Sequence, residues 1–259
     1  MTNTIGYRHH RPKEENIIYG IRPVMEAVDA DKEIEKIFIA RGTRGELMQE
    51  LKKKLQHKNI IWQEVPVDKL NRLTRQNHQD VICFISSIIY QSIEDIVPHV
   101  FERGEVPLIL LLDRITDVRN FGAIARTAEC AGVHAIVIPD RGAAQINADA
   151  VKTSAGALNI IPVCKEHNLT DTVRFLKQSG LQIIAATEKS SEYYFKADYS
   201  SPTAIIMGSE EDGISSQLMK EADAVVCLPM RGTIASLNVS VACGVMLFEV
   251  LRQRGKKQN

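Results

Sequence analysis

The sequence lacks a dominant charge: 32 Lys and Arg balance 32 Asp and Glu. A polybasic or polyacidic mode of partner binding is therefore not written into the composition. Cysteine is sparse and scattered, at Cys83, Cys130, Cys164, Cys227 and Cys243, with no CxxC pair. That excludes a disulfide framework and a zinc ribbon, and predicts reduced, buried thiols. No stretch reaches the roughly 18 uncharged apolar residues of a membrane span. The first residues, with Arg8, His9, His10, Arg11 and Lys13, have no apolar core, so they do not read as a secretory signal. Residues 1–15 read as a short disordered arm. There is no GxGxxG after a strand, no HExxH and no GxSxG, and Gly208–Gly213 lacks the Lys-Ser/Thr of a phosphate loop. His134 and His167 are isolated and read as structural or surface groups, so no metal site is expected. Internal repeats and low-complexity tracts are absent.

What is present is an ordinary globular composition, 44% hydrophobic and 25% charged over 259 residues, enough for one large or two smaller domains. Residues 1–88 hold 15 basic against 12 acidic side chains, and residues 89–259 hold 17 against 20. Residues 16–88 read as a small α/β domain. Its predicted elements include a strand at Lys36–Ala40, a helix at Glu46–His57 with a basic face (Lys52, Lys53, Lys54, Lys58), and strands at Asn59–Val65 and Val81–Ser87. Residues 89–105, polar with Pro98, read as a linker. From residue 106 to 259 strands and helices alternate, beginning with the continuous apolar run Leu108–Leu112, and this predicts a parallel sheet covered on both faces. The last helix, predicted over Leu237–Arg254, is apolar nearly all round until Glu249.

Three blocks carry candidate chemistry. In Asn120-Phe121-Gly122-Ala123-Ile124-Ala125-Arg126, a helix beginning near Asn120 would place Arg126 about one turn in. Its free N–H groups and positive end suit a phosphate, which Arg can grip through two parallel bonds. The bland alternatives are an Asn120 helix cap and an Arg126–Glu129 pair. In Met207-Gly208-Ser209-Glu210-Glu211-Asp212-Gly213, an acidic trio follows a strand end, where catalytic groups of open α/β sheets gather. In Ala235-Ser236-Leu237-Asn238-Val239, Ser236 and Asn238 stand at the mouth of the last helix, either as caps or as site groups.

In this order the three blocks resemble the motifs of the SpoU (TrmH) family of RNA ribose 2′-O-methyltransferases. The first part resembles the family's small substrate-binding domain, through Tyr19-Gly20-Ile21-Arg22-Pro23. Asn77-His78-Gln79-Asp80 stands where His-Gln-Gly is usual, so Asp80 departs from the pattern. The resemblance implies a SPOUT-type α/β trefoil-knot methyltransferase domain, a homodimer in the cytoplasm, and transfer of methyl from S-adenosylmethionine to a ribose 2′-OH of structured RNA. The two-domain layout is most similar to the branch acting on a guanosine of large-subunit rRNA; tRNA is the alternative. The resemblance assigns Asn120, Arg126, Glu210, Ser236 and Asn238 to the reaction, with Arg126 as general base or phosphate clamp. It assigns Thr187, Gly208, Leu228, Met230 and Leu237 to the cofactor, largely through their backbones. A non-catalytic RNA-binding or ribosome-assembly protein on the same scaffold is the rival, opposed by the intact motif residues. A dinucleotide oxidoreductase is opposed by the missing glycine fingerprint. The Tyr193-Tyr194-Phe195 run reads as loop packing in preference to base stacking.

Overall fold

The computed structural model describes residues 16–255, in two compact units that divide between Ser87 and Ile88. The arm expected over residues 1–15 lies outside the described residues. Among the described residues no helix is long and apolar enough to cross a membrane.

The first unit contains β1 (Ile17–Tyr19), α1 (Ile21–Asp29), β2 (Ile34–Ala40), α2 (Glu46–His57), β3 (Trp62–Val65), α3 (Val67–Leu73) and β4 (Val81–Ile85). The sheet order is β1-β4-β2-β3; β3 runs parallel to β2, and β4 is antiparallel to both its neighbours. Period-two alternation in β2 sorts its side chains between two small cores. Ile37 and Ile39 join Val24, Met48, Leu51 and Leu55 beneath α1 and α2, while Phe38 and Ala40 meet Leu70 of α3. The basic face of α2 is largely neutralised. Lys52 bonds Glu64 at 2.8 Å, Lys54 bonds Asp29 at 2.7 Å and Lys58 bonds Asp31 at 2.5 Å.

The turn into β4 explains the Asp80 departure. Asp80 has φ +63, a left-handed backbone that favours glycine and that Asp tolerates better than most residues. Its Oδ2 accepts the Thr43 hydroxyl at 3.1 Å. Next to it, Gln79 Oε1 accepts the backbone N–H of Ile21, so the turn caps α1 from outside. His78 is buried, with Nδ1 accepting from Asp80 N and Nε2 facing Asn71 Oδ1.

The second unit contains α4 (Ile93–Glu102), β5 (Leu108–Asp113), α5 (Val118–Cys130), β6 (Ala135–Pro139), α6 (Ala148–Thr153), β7 (Val163–Glu166), α7 (Leu169–Gln178), β8 (Gln182–Ala186), β9 (Thr203–Gly208), α8 (Ser216–Glu221), β10 (Ala224–Val226) and α9 (Val239–Gly255). Its six strands are all parallel, in the order β10-β8-β9-β5-β6-β7. Every residue of β5 is buried: Leu108, Leu110 and Leu112 face the core shared with α5 and α9, and Ile109 and Leu111 face the one shared with α4 and α7.

Residues 89–105, expected as a linker, instead contain α4. Ser92 caps it by accepting from Asp95 N, and Ile93, Val97 and Val100 bury one stripe at helical spacing. Intervening acids and Pro98 hid that period. Helix α6 ends at Thr153, just before Ala155 and Gly156 turn left-handed. Cys130 is exposed, contrary to the expectation of uniformly buried thiols, because it closes α5 on its outer face. Burial pushes the Cys83, Cys164 and Cys243 thiols up to about 12. At the far end of α9, Arg254 donates to four backbone carbonyls: those of Val106, Pro107, Tyr199 and Ser201.

Candidate active site

The sheet order fixes where a site can form. The chain leaves β5 toward β6 on one side and leaves β9 toward β10 on the other, so adjacent strands send their following segments in opposite directions. A crevice opens beyond the carboxyl ends of such a pair. The three motif blocks meet there.

Glu210 is the hub. Its Oε1 accepts from Asn238 Nδ2 at 2.7 Å, from Asn120 Nδ2 at 3.1 Å and from the Val239 backbone N–H at 3.3 Å. Asn238 Nδ2 also donates to Asn120 Oδ1 at 3.0 Å. Residues 90 and 118 positions apart in the chain are thus joined in one hydrogen-bonded cluster. Asn238 serves additionally as the cap of α9, with Oδ1 accepting from Ser240 N, so its two alternative roles coexist.

Asn120, by contrast, is not the cap of its helix. Asp117 is, accepting from Asn120 N at 2.7 Å, and α5 starts at Val118. The earlier start moves Arg126 more than two turns into the helix, roughly 12 Å along the axis from its first residue. At about 100° per residue it faces some 120° away from Asn120. Arg126 is exposed and, among the described residues, has no hydrogen-bond or ion-pair partner, so neither the helix N-terminus nor Glu129 holds it. Glu210 orients the two asparagines and not this guanidinium.

The loop carrying Glu210 is held by contacts the sequence did not expose. A Cβ on Gly208 would lie 2.2 Å from the Gly213 carbonyl carbon, so the glycine is demanded by the loop folding back on itself. Gly213 N bonds Ser209 O at 3.0 Å. Arg114, itself at φ +60, latches the loop: it donates to Asp113 Oδ1, Asp212 Oδ2 and Gly213 O. Asp113 Oδ2 in turn accepts from Ser215 N at 2.6 Å. This latch spans 98 or more positions, and only its participants' residue types hinted at it.

Beside the cluster lies a cavity of about 620 Å³. Thr187, Gly208, Leu228, Met230 and Leu237 all line it, as do Glu210, Ser236 and Asn238. Ser236 is exposed at its rim, outside the hydrogen-bonded cluster. A smaller hollow of about 340 Å³ adjoins, bounded by Arg114, Asp117 and Asn120, with Glu210 in the shared wall. From Leu228 to Leu237 the described chain makes no backbone–backbone hydrogen bond, while Met230 and Leu237 stay 38% and 39% exposed. Free amide donors and acceptors beside uncovered apolar side chains fit a ligand with a flat heterocycle and a polar sugar. No group of three His, Cys, Asp or Glu among the described residues could hold a metal ion. His134 is structural, its Nδ1 accepting from Leu108 N and its Nε2 meeting Glu105. Tyr193 and Phe195 remain 41% and 46% exposed, less packed than expected.

Both units match known families. Residues 107–248 match the SpoU rRNA Methylase family, and residues 17–91 match the domain described as RNA 2′-O ribose methyltransferase substrate binding. The chain is 34% identical over 244 residues to the 23S rRNA (guanosine-2′-O-)-methyltransferase RlmB of Yersinia pestis, covering 93% of this chain and 98% of that protein. It is 33% identical to the putative TrmH family tRNA/rRNA methyltransferase YacO of Bacillus subtilis, covering 93% and 97%. Among solved structures, the AdoMet-bound rRNA methyltransferase from Sinorhizobium meliloti superposes with a TM-score of 0.59 at 28% identity, covering 92% of this chain and 87% of that one.

Proposed function

Because the chain belongs to the SpoU rRNA Methylase family, we propose that it methylates the 2′-OH of a guanosine ribose in large-subunit rRNA. The family places it among S-adenosylmethionine-dependent RNA 2′-O-methyltransferases, with their trefoil-knot α/β catalytic fold. The observation that carries the reading is the Asn120–Glu210–Asn238 cluster, whose Glu210 and Asn238 line a cavity of cofactor size.

Thr187, Gly208, Leu228, Met230 and Leu237 are assigned to the cofactor. Their common place around the cavity and the free backbone between Leu228 and Leu237 support this. Bound S-adenosylmethionine supplies an electrophilic sulfonium methyl. Asn120, Glu210 and Asn238 hold the ribose in line with it, and Ser236 closes the rim. Arg126 lines neither hollow of this chain and faces away from the cluster, so it is assigned to grip an RNA phosphate, a role its free guanidinium fills while protonated. A homodimer is part of the reading. Val241, Phe248 and Leu251 leave one stripe of α9 at 51%, 53% and 37% exposure, an apolar strip suited to a second copy. A cytoplasmic location accords with a ribosomal RNA substrate.

The test is methyl transfer from labelled S-adenosylmethionine to total RNA, followed by digestion to nucleosides, with light scattering for the oligomer. Label in 2′-O-methylguanosine of large rRNA is the expected result. Label confined to tRNA would move the substrate, and no label with no cofactor binding would overturn the enzyme reading. In Arg126→Ala, transfer should fall by at least about 100-fold while cofactor affinity holds.

A further inference from the structure

We propose that the phosphate backbone of the RNA substrate is gripped by one end of the first unit's sheet, through Arg22, Arg41, Arg44, Arg72 and Arg75. The proposal rests on the RNA-methyltransferase reading above and adds which surface of the first unit meets the RNA.

These are all the arginines among the described residues of that unit, and they come from three separate chain segments. Arg22 opens α1, just after β1; Arg41 and Arg44 follow β2; Arg72 lies in the last turn of α3, the helix after β3; Arg75 precedes β4. The strand directions bring these segments together. Because β4 is antiparallel to β1 and β2, the carboxyl ends of β1, β2 and β3 lie beside the start of β4. Backbone bonds from Gly20 N to Val81 O, Ala40 N to Asp80 O and Arg41 N to Val65 O fix that adjacency.

All five guanidiniums are exposed, and among the described residues none has a hydrogen-bond or ion-pair partner. The α2 lysines behave oppositely, three of them closed by carboxylates within 2.8 Å. Glu64 feels Arg41 but is held below the usual carboxylate range chiefly by Lys52. Acids do occur at the arginine end, at Glu46, Asp68 and Asp80, and the last is turned to Thr43. Five cations against three acids leave a net positive rim. Guanidinium forks match phosphate oxygens, and structured RNA is read largely through its backbone and shape. The Gln79–Ile21 and Asp80–Thr43 bonds hold the loops in place before any ligand arrives.

The test titrates an unmodified 23S rRNA transcript against the full chain between about 50 and 200 mM KCl, with cofactor binding followed separately. Replacing R41Q/R44Q/R75Q together should flatten the slope of log affinity against log salt by about 2–3 and weaken binding at least about 10-fold. The matching R41K/R44K/R75K should keep the slope, because charge is retained. K52Q/K54Q/K58Q should leave it at the wild-type value. Should the glutamine triple fail to fold, R44Q alone should still flatten the slope by about 0.7–0.9. An unchanged slope and affinity in the glutamine variants, with wild-type methylation of the transcript intact, would overturn the surface assignment alone. A wild-type chain that binds cofactor yet neither binds nor methylates RNA would bring down the underlying reading as well.

Discussion

The two units gather their polar side chains at one end of a sheet, yet treat them in opposite ways. Beyond β5 and β9 polar groups answer one another: one Glu210 oxygen collects three donors, and Asn238 both donates and caps. At the arginine end of the first unit the backbone is fixed, while the five guanidiniums, among the described residues, are left without protein partners. The first arrangement suits a reaction, where groups must be held to a fraction of an ångström before substrate arrives. The second suits a polyanion, where each unpaired cation can replace counterions on a phosphate. A residue's type does not say which arrangement it joins; its partner does.

The contrast can be broken at several points. The largest effect is expected for Glu210→Ala, which releases Asn120, Asn238 and the first amide of α9. We expect kcat/KM for methyl transfer to fall by about 10²–10³-fold with RNA affinity unchanged; a drop confined to RNA affinity would erase the distinction between the two ends. Gly208→Ala should come next. Its new Cβ meets backbone that cannot swing aside. We expect about 1–3 kcal/mol of lost stability in urea unfolding and a weaker hold on cofactor. Removing the α2 ion pairs by K52Q/K54Q/K58Q sharpens the comparison from the other side. These pairs are partly exposed, so the loss in the same unfolding measurement should be well below that of Gly208→Ala. The smallest effect is expected for Asp80→Asn, which keeps a residue tolerant of the left-handed backbone and deletes one acid among the arginines. RNA affinity should rise about two- to five-fold at low salt and converge with wild type at high salt.

Much of this molecule was legible in its residues. The helix Glu46–His57 was predicted at the bounds observed, because Met48, Leu51 and Leu55 repeat at helical spacing. The run Leu108–Leu112 reads as a strand covered on both faces, and β5 is buried along its whole length. α4 was missed because acids and Pro98 interrupt the look of an amphipathic stripe without breaking it. Asp117, three residues before Asn120, took the cap that either could have filled, which sets Arg126 further along the helix; its turn away from Asn120 follows from helical spacing alone. Family resemblance picked Glu210 from its acidic trio; spacing alone had no means to. The Arg114 latch and the neutralised lysines of α2 were illegible for one shared reason. Pairing is decided by which distant carboxylate the fold delivers, and a run of lysines looks the same whether or not one comes.

Arg254 gives the fold a direction in time. Its guanidinium, held below its ordinary pKa by burial, bonds the carbonyls of Val106 and Pro107, which precede it by 148 and 147 positions. At synthesis speeds of about 5–20 residues per second, β5 emerges roughly 7–30 s before the residue that fastens its beginning. Asn238 and Val239, which complete the Glu210 cluster, also arrive late. A nascent chain can therefore finish its first unit, and expose its arginines, while the second still has neither its clasp nor its finished catalytic wall.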